Sequence, residues 1–145
     1  MLRSIVVLSL ILPTLWICGG CGQPQSDRKE TYPVRGDVLV DGEPVENLAV
    51  ICILLSEADK EHPTQSQCFT QKDGSFEIGT YESKDGVPAG EYALTFRWGA
   101  WNLLSHSYEG DKLNDRYTDP KKTAAKFTVK EGEPTELGEI NLTTK

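Results

Sequence analysis

The side chains best suited to covalent chemistry in this sequence are four cysteines, which fall into two pairs. Cys18 and Cys21 lie close together near the start of the chain, whereas Cys52 and Cys68 lie towards its middle. A cysteine thiolate is a nucleophile, and two thiols within reach of each other can form a disulfide. The two pairs stand in different surroundings, so they predict different chemistry.

Cys21 follows a segment whose features have the order that is typical of a bacterial export signal. Arg3 places one positive charge at the start, and residues 5–17 form a mostly apolar run. A transmembrane helix needs roughly 20 apolar residues, so the shorter run predicts a signal peptide instead of a membrane span.

Gly19 and Gly20 directly precede Cys21, and this order resembles the lipobox at which bacterial lipoproteins are acylated and cleaved. We therefore expect residues 1–20 to be a lipoprotein signal peptide and Cys21 to carry a thioether-linked lipid. Cys18 departs from the lipobox, because Leu, Val or Ile usually stands three residues before the modified cysteine. The alternative is an ordinary signal peptide, whose cleavage leaves Cys21 as a free thiol or in a disulfide.

Residues 21–30 are predicted to be the lipidated cysteine and a polar tether. The full chain has a formal net charge of −7, with 15 Lys and Arg against 22 Asp and Glu. Loss of Arg3 with the leader leaves 14 cations against 22 anions, so the mature net charge is −8. An acidic surface repels nucleic acid and anionic lipid. We expect no nucleic-acid partner, and attachment to the cell-envelope membrane, on its periplasmic or outer face, through the lipid on Cys21.

Cys52 and Cys68 lie in two successive segments of strand-like composition. Neighbouring strands can bring such side chains within bonding distance, and an oxidising compartment lets the bond persist. We predict a disulfide between them. The alternative of two buried free thiols stays open, because a one-residue shift in register would put the cysteines on opposite faces.

Side chains for enzyme catalysis are sparse. A zinc hydrolase needs clustered His and carboxylate ligands, but His62 and His106 lie in separate loop-like segments. The sequence contains neither a Gly-x-Ser-x-Gly motif nor a glycine-rich phosphate loop. We expect no catalytic residue and no cofactor.

Acidic residues recur every four positions at Asp111, Asp115 and Asp119, and calcium prefers such oxygen ligands. Lys112 and Arg116 lie among them, and the spacing of an EF-hand is absent. The pattern favours local ion pairs in a solvated loop, so no metal site is expected.

Aromatic residues concentrate at the start of a long stretch, residues 99–122, that lacks a strand pattern. Trp98 is in phase with the inward face of the preceding strand and is expected to pack into the core. Trp101 and Tyr108 form a candidate binding loop, because aromatic rings stack on sugars and anchor protein partners. The alternative is that the rings cover one face of the apolar segment 48–55.

The elements that must position these residues are short segments rich in β-branched and aromatic residues, with period-2 alternation. Turn residues separate them, and Asp41-Gly42 and Asp73-Gly74 are strong tight-turn signals. The predicted strands are residues 34–40, 48–55, 67–71, 75–79, 91–98, 125–129 and 136–142. About seven short strands predict an all-β fold, an antiparallel Greek-key β-sandwich.

Four stretches resemble the carboxypeptidase regulatory-like, or transthyretin-like, domain. They are YPVRGDVLVDGEPV at 32–45, TQKDGSF at 70–76, TYESKDGVPAGEY at 80–92 and LNDRYTDP at 113–120. Together with the leader they are similar to short planctomycete lipoproteins that carry one such domain. The resemblance implies a transthyretin-like sandwich over residues 31–145, and it carries over no catalytic residue.

These patterns lead to an expected function. We expect a non-catalytic cell-envelope lipoprotein that serves as a structural or protein-interaction module, with an envelope protein as its partner. The alternative is a carbohydrate- or peptide-binding β-sandwich that uses the aromatic loop at residues 98–108, with an envelope polysaccharide as one such ligand.

Overall fold

A computed structural model of the chain describes residues 28–56, 65–123 and 125–145. The predicted signal peptide (1–20), the predicted lipid site Cys21 and most of the predicted tether lie outside the described residues.

The described chain consists of β-strands and turns, which agrees with the sequence pattern in most places. Ten strands follow in chain order: β1 Val34–Val40, β2 Glu43–Pro44, β3 Ala49–Leu54, β4 Ser66–Phe69, β5 Ser75–Glu77, β6 Gly90–Arg97, β7 Ala100–Asn102, β8 Ser107–Glu109, β9 Lys126–Val129 and β10 Thr135–Leu142.

Two four-stranded sheets pack face to face. In the first sheet β1 is central, with β10 along one edge and both β2 and β5 along the other. In the second sheet the order is β4-β3-β6-β9, and every neighbouring pair is antiparallel. The predicted all-β sandwich is therefore confirmed.

Alternation along β1 explains its place at the centre. Val34, Val38 and Val40 are buried, whereas Arg35 and Asp37 are exposed. One face of the strand thus packs against the second sheet and the other faces solvent, as the period-2 pattern predicts. Burying one face sets the register of the strand, since a one-residue slip would expose all three valines.

The pairing of β1 with β10 is parallel, which the sequence did not predict. Arg35 lies opposite Glu136 and Asp37 opposite Glu139, so β10 holds one extra residue at this point. Gly138 has a φ of +65° here. Such a bulge interrupts the outer edge of the strand and so disfavours pairing with another chain.

The Asp73-Gly74 turn is present, but the hairpin predicted around it is not. Gly74 has a φ of +81°, and its N–H donates to the Gln71 carbonyl. The strand before the turn, β4, pairs with β3, whereas the strand after it, β5, pairs with β1. The turn therefore carries the chain from one sheet to the other.

Buried side chains from both sheets form one core. Phe76 of β5 and Ile78, which follows β5, belong to the same buried cluster as Leu94 and Phe96 of β6. All four side chains are at most 1% exposed. Buried Thr70 fixes the segment that leads into β3. Its hydroxyl donates to the Val45 carbonyl at 2.6 Å and accepts from the Leu48 N–H at 3.0 Å.

The cysteines depart from the predicted disulfide, because both Cys52 and Cys68 are free thiols. They lie on the same face of neighbouring strands, but Cys52 is opposite Ser66 and Cys68 is opposite Val50. Diagonal neighbours of this kind are about 7–8 Å apart, beyond the usual Cα separation of a disulfide. The register of β3 and β4 thus keeps the thiols apart.

Burial controls the chemistry of these thiols. It raises the pKa of Cys52, and it raises the pKa of Cys68 to about 12. Both side chains are therefore neutral thiols at ordinary pH, and neutral thiols are poor nucleophiles.

We predict that iodoacetamide labels neither Cys52 nor Cys68 in the folded protein at pH 8, and labels both after unfolding without reductant. Mass spectrometry of the tryptic peptides measures this. If both remain unlabelled in the unfolded, unreduced protein, the two cysteines are bonded and the described register is wrong.

Candidate binding surface

The long stretch predicted to be irregular contains a two-stranded hairpin of β7 and β8. Trp101 lies directly opposite Tyr108 in this hairpin. The structure thus brings together the two residues that the sequence singled out as a candidate binding loop. The spacing of seven residues between them matches two short strands joined by the turn at residues 103–106.

Phe69 of β4 joins these two residues, and we call Phe69, Trp101 and Tyr108 the aromatic cluster. The ring centroids lie 5.9 Å apart for Phe69 and Trp101, 5.2 Å for Phe69 and Tyr108, and 5.6 Å for Trp101 and Tyr108. The tilted and edge-on arrangements are those that aromatic pairs prefer. Trp101 is 55% exposed and Phe69 38%, so the cluster presents an aromatic surface to solvent.

The Tyr108 hydroxyl fastens the hairpin to the second sheet. It lies 2.7 Å from the Asn47 carbonyl and accepts from the Gly99 N–H at 2.7 Å. The position of Gly99 requires glycine, because a Cβ there would lie 2.5 Å from the Glu109 carbonyl oxygen and 2.9 Å from the Tyr108 ring. Tyr108 therefore positions Trp101 and offers little free polar surface of its own.

A polar network stabilises the other side of the hairpin. The Glu109 carboxylate accepts from the Ser105 and Ser107 hydroxyls and from the Asn102 side-chain amide. These hydrogen bonds favour the charged form and lower the pKa of Glu109 to about 2. The Asn102 side-chain oxygen accepts from the Leu104 and Ser105 N–H groups, which closes the turn.

Two leucines at the turn are almost fully exposed. Leu103 is 85% exposed and Leu104 is 94% exposed. We call these two residues the leucine tip. Isolated exposed leucines are common on proteins, but two adjacent ones beside an exposed tryptophan form an unusual apolar projection.

A cleft of about 540 Å³ runs along the edge of β4. The cleft and the aromatic cluster share Phe69, so the two form one continuous surface. Glutamine side chains, Cys68, Tyr81 and charged residues also contribute to the walls. The full lining is Gln65, Gln67, Cys68, Phe69, Gln71, Glu77, Gly79, Thr80, Tyr81, Glu82, Ser83 and Lys84.

The first described residues of the chain lie against the wall of this cleft. The Arg28 guanidinium forms an ion pair with Glu82 at 3.2 Å and lies 5.3 Å from the centroid of the Tyr81 ring. The Lys29 N–H donates to the Tyr81 hydroxyl. The segment that precedes the domain therefore reaches it beside the cleft.

Trp98 lies away from the aromatic cluster. It is half-buried and packs against the core, as its phase in the strand predicted. The Lys112 ammonium group lies 4.2 Å from the centroid of its ring, a cation–π contact that covers the outer face.

The acidic side chains of residues 111–119 stabilise the fold by local hydrogen bonds and an ion pair. The Asp111 carboxylate accepts from the N–H groups of Trp98, Leu113 and Asp115. Asp119 forms an ion pair with Lys122 at 3.6 Å. Within the described ranges, no group of three His, Cys, Asp or Glu side chains is placed to hold a metal ion.

Phe69 is the residue of this surface that the sequence analysis missed. Alternation along β4 carries the signal, because buried Ser66 and half-buried Cys68 put Gln67 and Phe69 on the outer face. A single exposed aromatic residue is common on protein surfaces, so Phe69 becomes informative only as part of a larger exposed aromatic patch. Its proximity to Trp101 comes from long-range packing and has no local signal.

No protein-family model matches the chain, and no curated protein matches it. Solved structures with a similar fold include a 5-hydroxyisourate hydrolase from Klebsiella pneumoniae, with 18% identity, a TM-score of 0.39, and coverage of 79% of this chain and 91% of that one. A 9R-lipoxygenase from Cyanothece PCC8801 has 13% identity, a TM-score of 0.39, and coverage of 78% and 16%. A DUF3823 family protein from Parabacteroides merdae has 16% identity, a TM-score of 0.38, and coverage of 80% and 46%.

This chain spans less than half the length of the lipoxygenase and of the DUF3823 protein. Identities and TM-scores this low give no information about the activity of this chain. Among the residues that the structure describes, no helix is long and apolar enough to span a membrane.

We predict that Glu109→Gln destabilises the protein at neutral pH, and that this effect shrinks as the pH falls from about 4.5 to about 2. A carboxylate with a lowered pKa contributes stability above its unfolded pKa and loses that contribution as the pH falls through its folded pKa. Urea unfolding of both proteins at several pH values measures the difference. A difference that does not change with pH would contradict the assignment.

Proposed function

We propose that this chain is a non-catalytic lipoprotein of the cell envelope, anchored by a lipid on Cys21, that binds a partner protein on the surface formed by the aromatic cluster and the cleft. The observation that carries the proposal is Trp101, which is 55% exposed and in ring contact with Phe69 and Tyr108 at the border of the cleft. Binding energy at protein interfaces concentrates in such tryptophans.

The contacts around Trp101 make this surface suited to binding. Tyr108 is held by backbone groups of Asn47 and Gly99, and it contacts Trp101 from one side while Phe69 contacts it from another. A side chain that is already ordered loses little conformational entropy when a partner covers it. The aromatic cluster is thus preorganised for contact with a partner.

The reactive groups near the cleft support a non-catalytic role. Cys68 lines the cleft, but burial raises its pKa to about 12, so it is a neutral thiol and a weak nucleophile. The Ser105 and Ser107 hydroxyls of the nearby hairpin both donate to Glu109. These side chains stabilise the hairpin, and none is activated for attack on a substrate.

Carbohydrate or an extended peptide is the second candidate ligand, and the cleft lining favours it. Gln65, Gln67 and Gln71 line the cleft beside the Phe69 and Tyr81 rings. Amide groups can both donate and accept hydrogen bonds, and aromatic rings stack on the apolar faces of sugars. This arrangement suits an uncharged chain of sugars or a polypeptide backbone.

The path of the tether supports anchoring beside the same surface. Arg28 and Lys29 contact Glu82 and Tyr81 at the wall of the cleft. A lipid on Cys21 would therefore hold the domain by a point next to its binding surface, so the surface would face partners that are themselves close to the membrane.

We predict that Cys21→Ser releases the protein from the membrane, because two or more acyl chains anchor stably while the acidic domain alone has no affinity for anionic lipid. Detergent-phase partition and metabolic labelling with fatty acid measure this in cells. Cys18→Leu, which places the usual residue type at that lipobox position, is the matched control and should be anchored like the parent. Equal fatty-acid labelling of the Cys21→Ser variant and the parent would show that the lipid is elsewhere.

We predict that Trp101→Ala weakens partner binding by about 2 kcal/mol or more, as truncation of a central interface tryptophan does. Proximity labelling in intact cells identifies the partner, and titration of that partner with the purified proteins measures the loss of affinity, with Leu55→Ala as the control. Leu55 is 42% exposed and follows β3, outside the cleft and the aromatic cluster. A protein labelled by the parent and by Leu55→Ala, but not by Trp101→Ala, supports the proposal.

Identical labelling by all three proteins would mean that partners bind elsewhere. Titration with polysaccharides, followed by tryptophan emission, tests the second candidate. A saturable change in emission that Gln67→Ala weakens would assign the cleft to carbohydrate.

A further inference from the structure

We infer that the leucine tip, Leu103 and Leu104, inserts into the surface layer of a lipid bilayer and forms a second membrane contact beside the lipid on Cys21. This inference rests on the proposed function in one respect, namely that the anchor brings the domain to the membrane. It adds an orientation, since a second contact would fix which side of the sandwich faces the lipid.

The leucine tip differs in composition from the rest of the chain. Charged residues make up 26% of the sequence, yet residues 98–108 contain no Asp, Glu, Lys or Arg. Leu103 is 85% exposed and Leu104 is 94% exposed. Residues 98–108 bring no charged side chain to the bilayer interface, and the adjacent Glu109 carboxylate is already hydrogen-bonded by Asn102, Ser105 and Ser107, which lowers the cost of insertion.

The hairpin holds the leucine tip in place before any contact is made. The Asn102 side-chain oxygen accepts from the Leu104 N–H at 2.9 Å and from the Ser105 N–H at 3.3 Å. Glu109 binds Asn102, Ser105 and Ser107 on the polar side. Because the turn is already ordered, insertion costs little conformational entropy.

Trp101 lies at the base of the leucine tip and is 55% exposed. Tryptophan prefers the boundary between membrane and water, where its ring is buried and its N–H is hydrated. On insertion, the two leucines would reach the acyl chains while the tryptophan at their base stays at the boundary between membrane and water. Only the leucine tip would enter the acyl region in this arrangement, and Trp101 would stay at the boundary, where a partner protein beside the membrane can still contact it.

The length of chain outside the described residues limits how far the domain can move from the membrane. Seven residue steps separate Cys21 from Arg28, and an extended chain of that length spans at most about 25 Å. Arg28 contacts Tyr81 and Glu82 in the wall of the cleft, and Phe69 of the same cleft contacts Trp101. Arg28 thus lies at the cleft, and the hairpin that carries the leucine tip reaches the same cleft through the contact of Trp101 with Phe69.

Charge selects the kind of lipid. The hairpin ends at Glu109, Asp111 follows two residues later, and the mature chain is acidic overall. Arg97 and Lys112 lie beside these two acids, so repulsion of anionic headgroups comes from the net charge of the whole mature chain; zwitterionic headgroups would not repel it. Insertion is therefore expected to be deeper in phosphatidylcholine than in a bilayer rich in phosphatidylglycerol.

Bromine on lipid acyl chains quenches tryptophan emission only at short range, so it reports insertion. The mature lipidated protein, whose tryptophans are Trp98 and Trp101, is reconstituted into phosphatidylcholine vesicles with and without brominated chains. We expect at least twofold greater quenching for this protein than for its Leu103→Ser/Leu104→Ser variant. Both side chains are at least 85% exposed, so the variant keeps its fold.

Leu55→Ser removes an exposed leucine elsewhere and should quench like the parent. Trp101→Phe should remove most of the quenching, which assigns the signal to the base of the tip. Vesicles with phosphatidylglycerol should give less quenching than pure phosphatidylcholine.

Flotation of the vesicles reports the anchor separately from the tip. Flotation with equal quenching in the parent and the double variant would overturn insertion of the tip and leave the anchor intact. Failure to float, with no quenching, would contradict both. Loss of partner labelling in the double variant without any quenching in the parent would assign the leucine tip to a protein partner and overturn the inference.

Discussion

The burial of one face of β1 is the constraint on which the rest of the structure depends. Val34, Val38 and Val40 pack against the second sheet, and the strand is paired along both edges. A strand in this position cannot slip by one residue without exposing its valines. Its register therefore sets the positions of β2, β5 and β10. The turn at Gly74 connects β4 to β5, so the register of β1 also limits where β4 can lie in the second sheet.

Because β4 and β5 belong to different sheets, the side of the sandwich between them is bridged by loops instead of by a continuous ladder. Gln67 donates its N–H to the Gly79 carbonyl, and residues 79–84 fold over the edge of β4. The cleft forms along this bridge. The Asp85 carboxylate stabilises the loop by accepting from the N–H groups of Thr80, Tyr81 and Glu82.

In the described part of this domain, buried polar side chains are hydrogen-bonded, whereas several large apolar side chains stay exposed. Among the described residues, no buried side-chain nitrogen or oxygen lacks a hydrogen-bond partner. The unsatisfied surface is apolar instead, at Trp101, Leu103 and Leu104. A fold with satisfied polar groups and exposed apolar ones is suited to contact with another surface, which is the physical basis of the functions proposed above.

Local pattern was enough to predict most strands, the tight turn at Asp41-Gly42 and the inward face of β6, because side-chain alternation and positive φ are properties of neighbouring residues. Asp41 and Gly42 have φ values of +52° and +88°. The same local information placed Trp101 and Tyr108 in one loop. It did not determine which strands would pair.

Tertiary packing decided the parallel pairing of β1 with β10, the separation of β4 from β5, the offset of Cys52 from Cys68 and the contact of Phe69 with Trp101. Each of these depends on the register between segments distant in sequence. That register is selected by how the two sheets bury their apolar faces together, and no single segment carries this information.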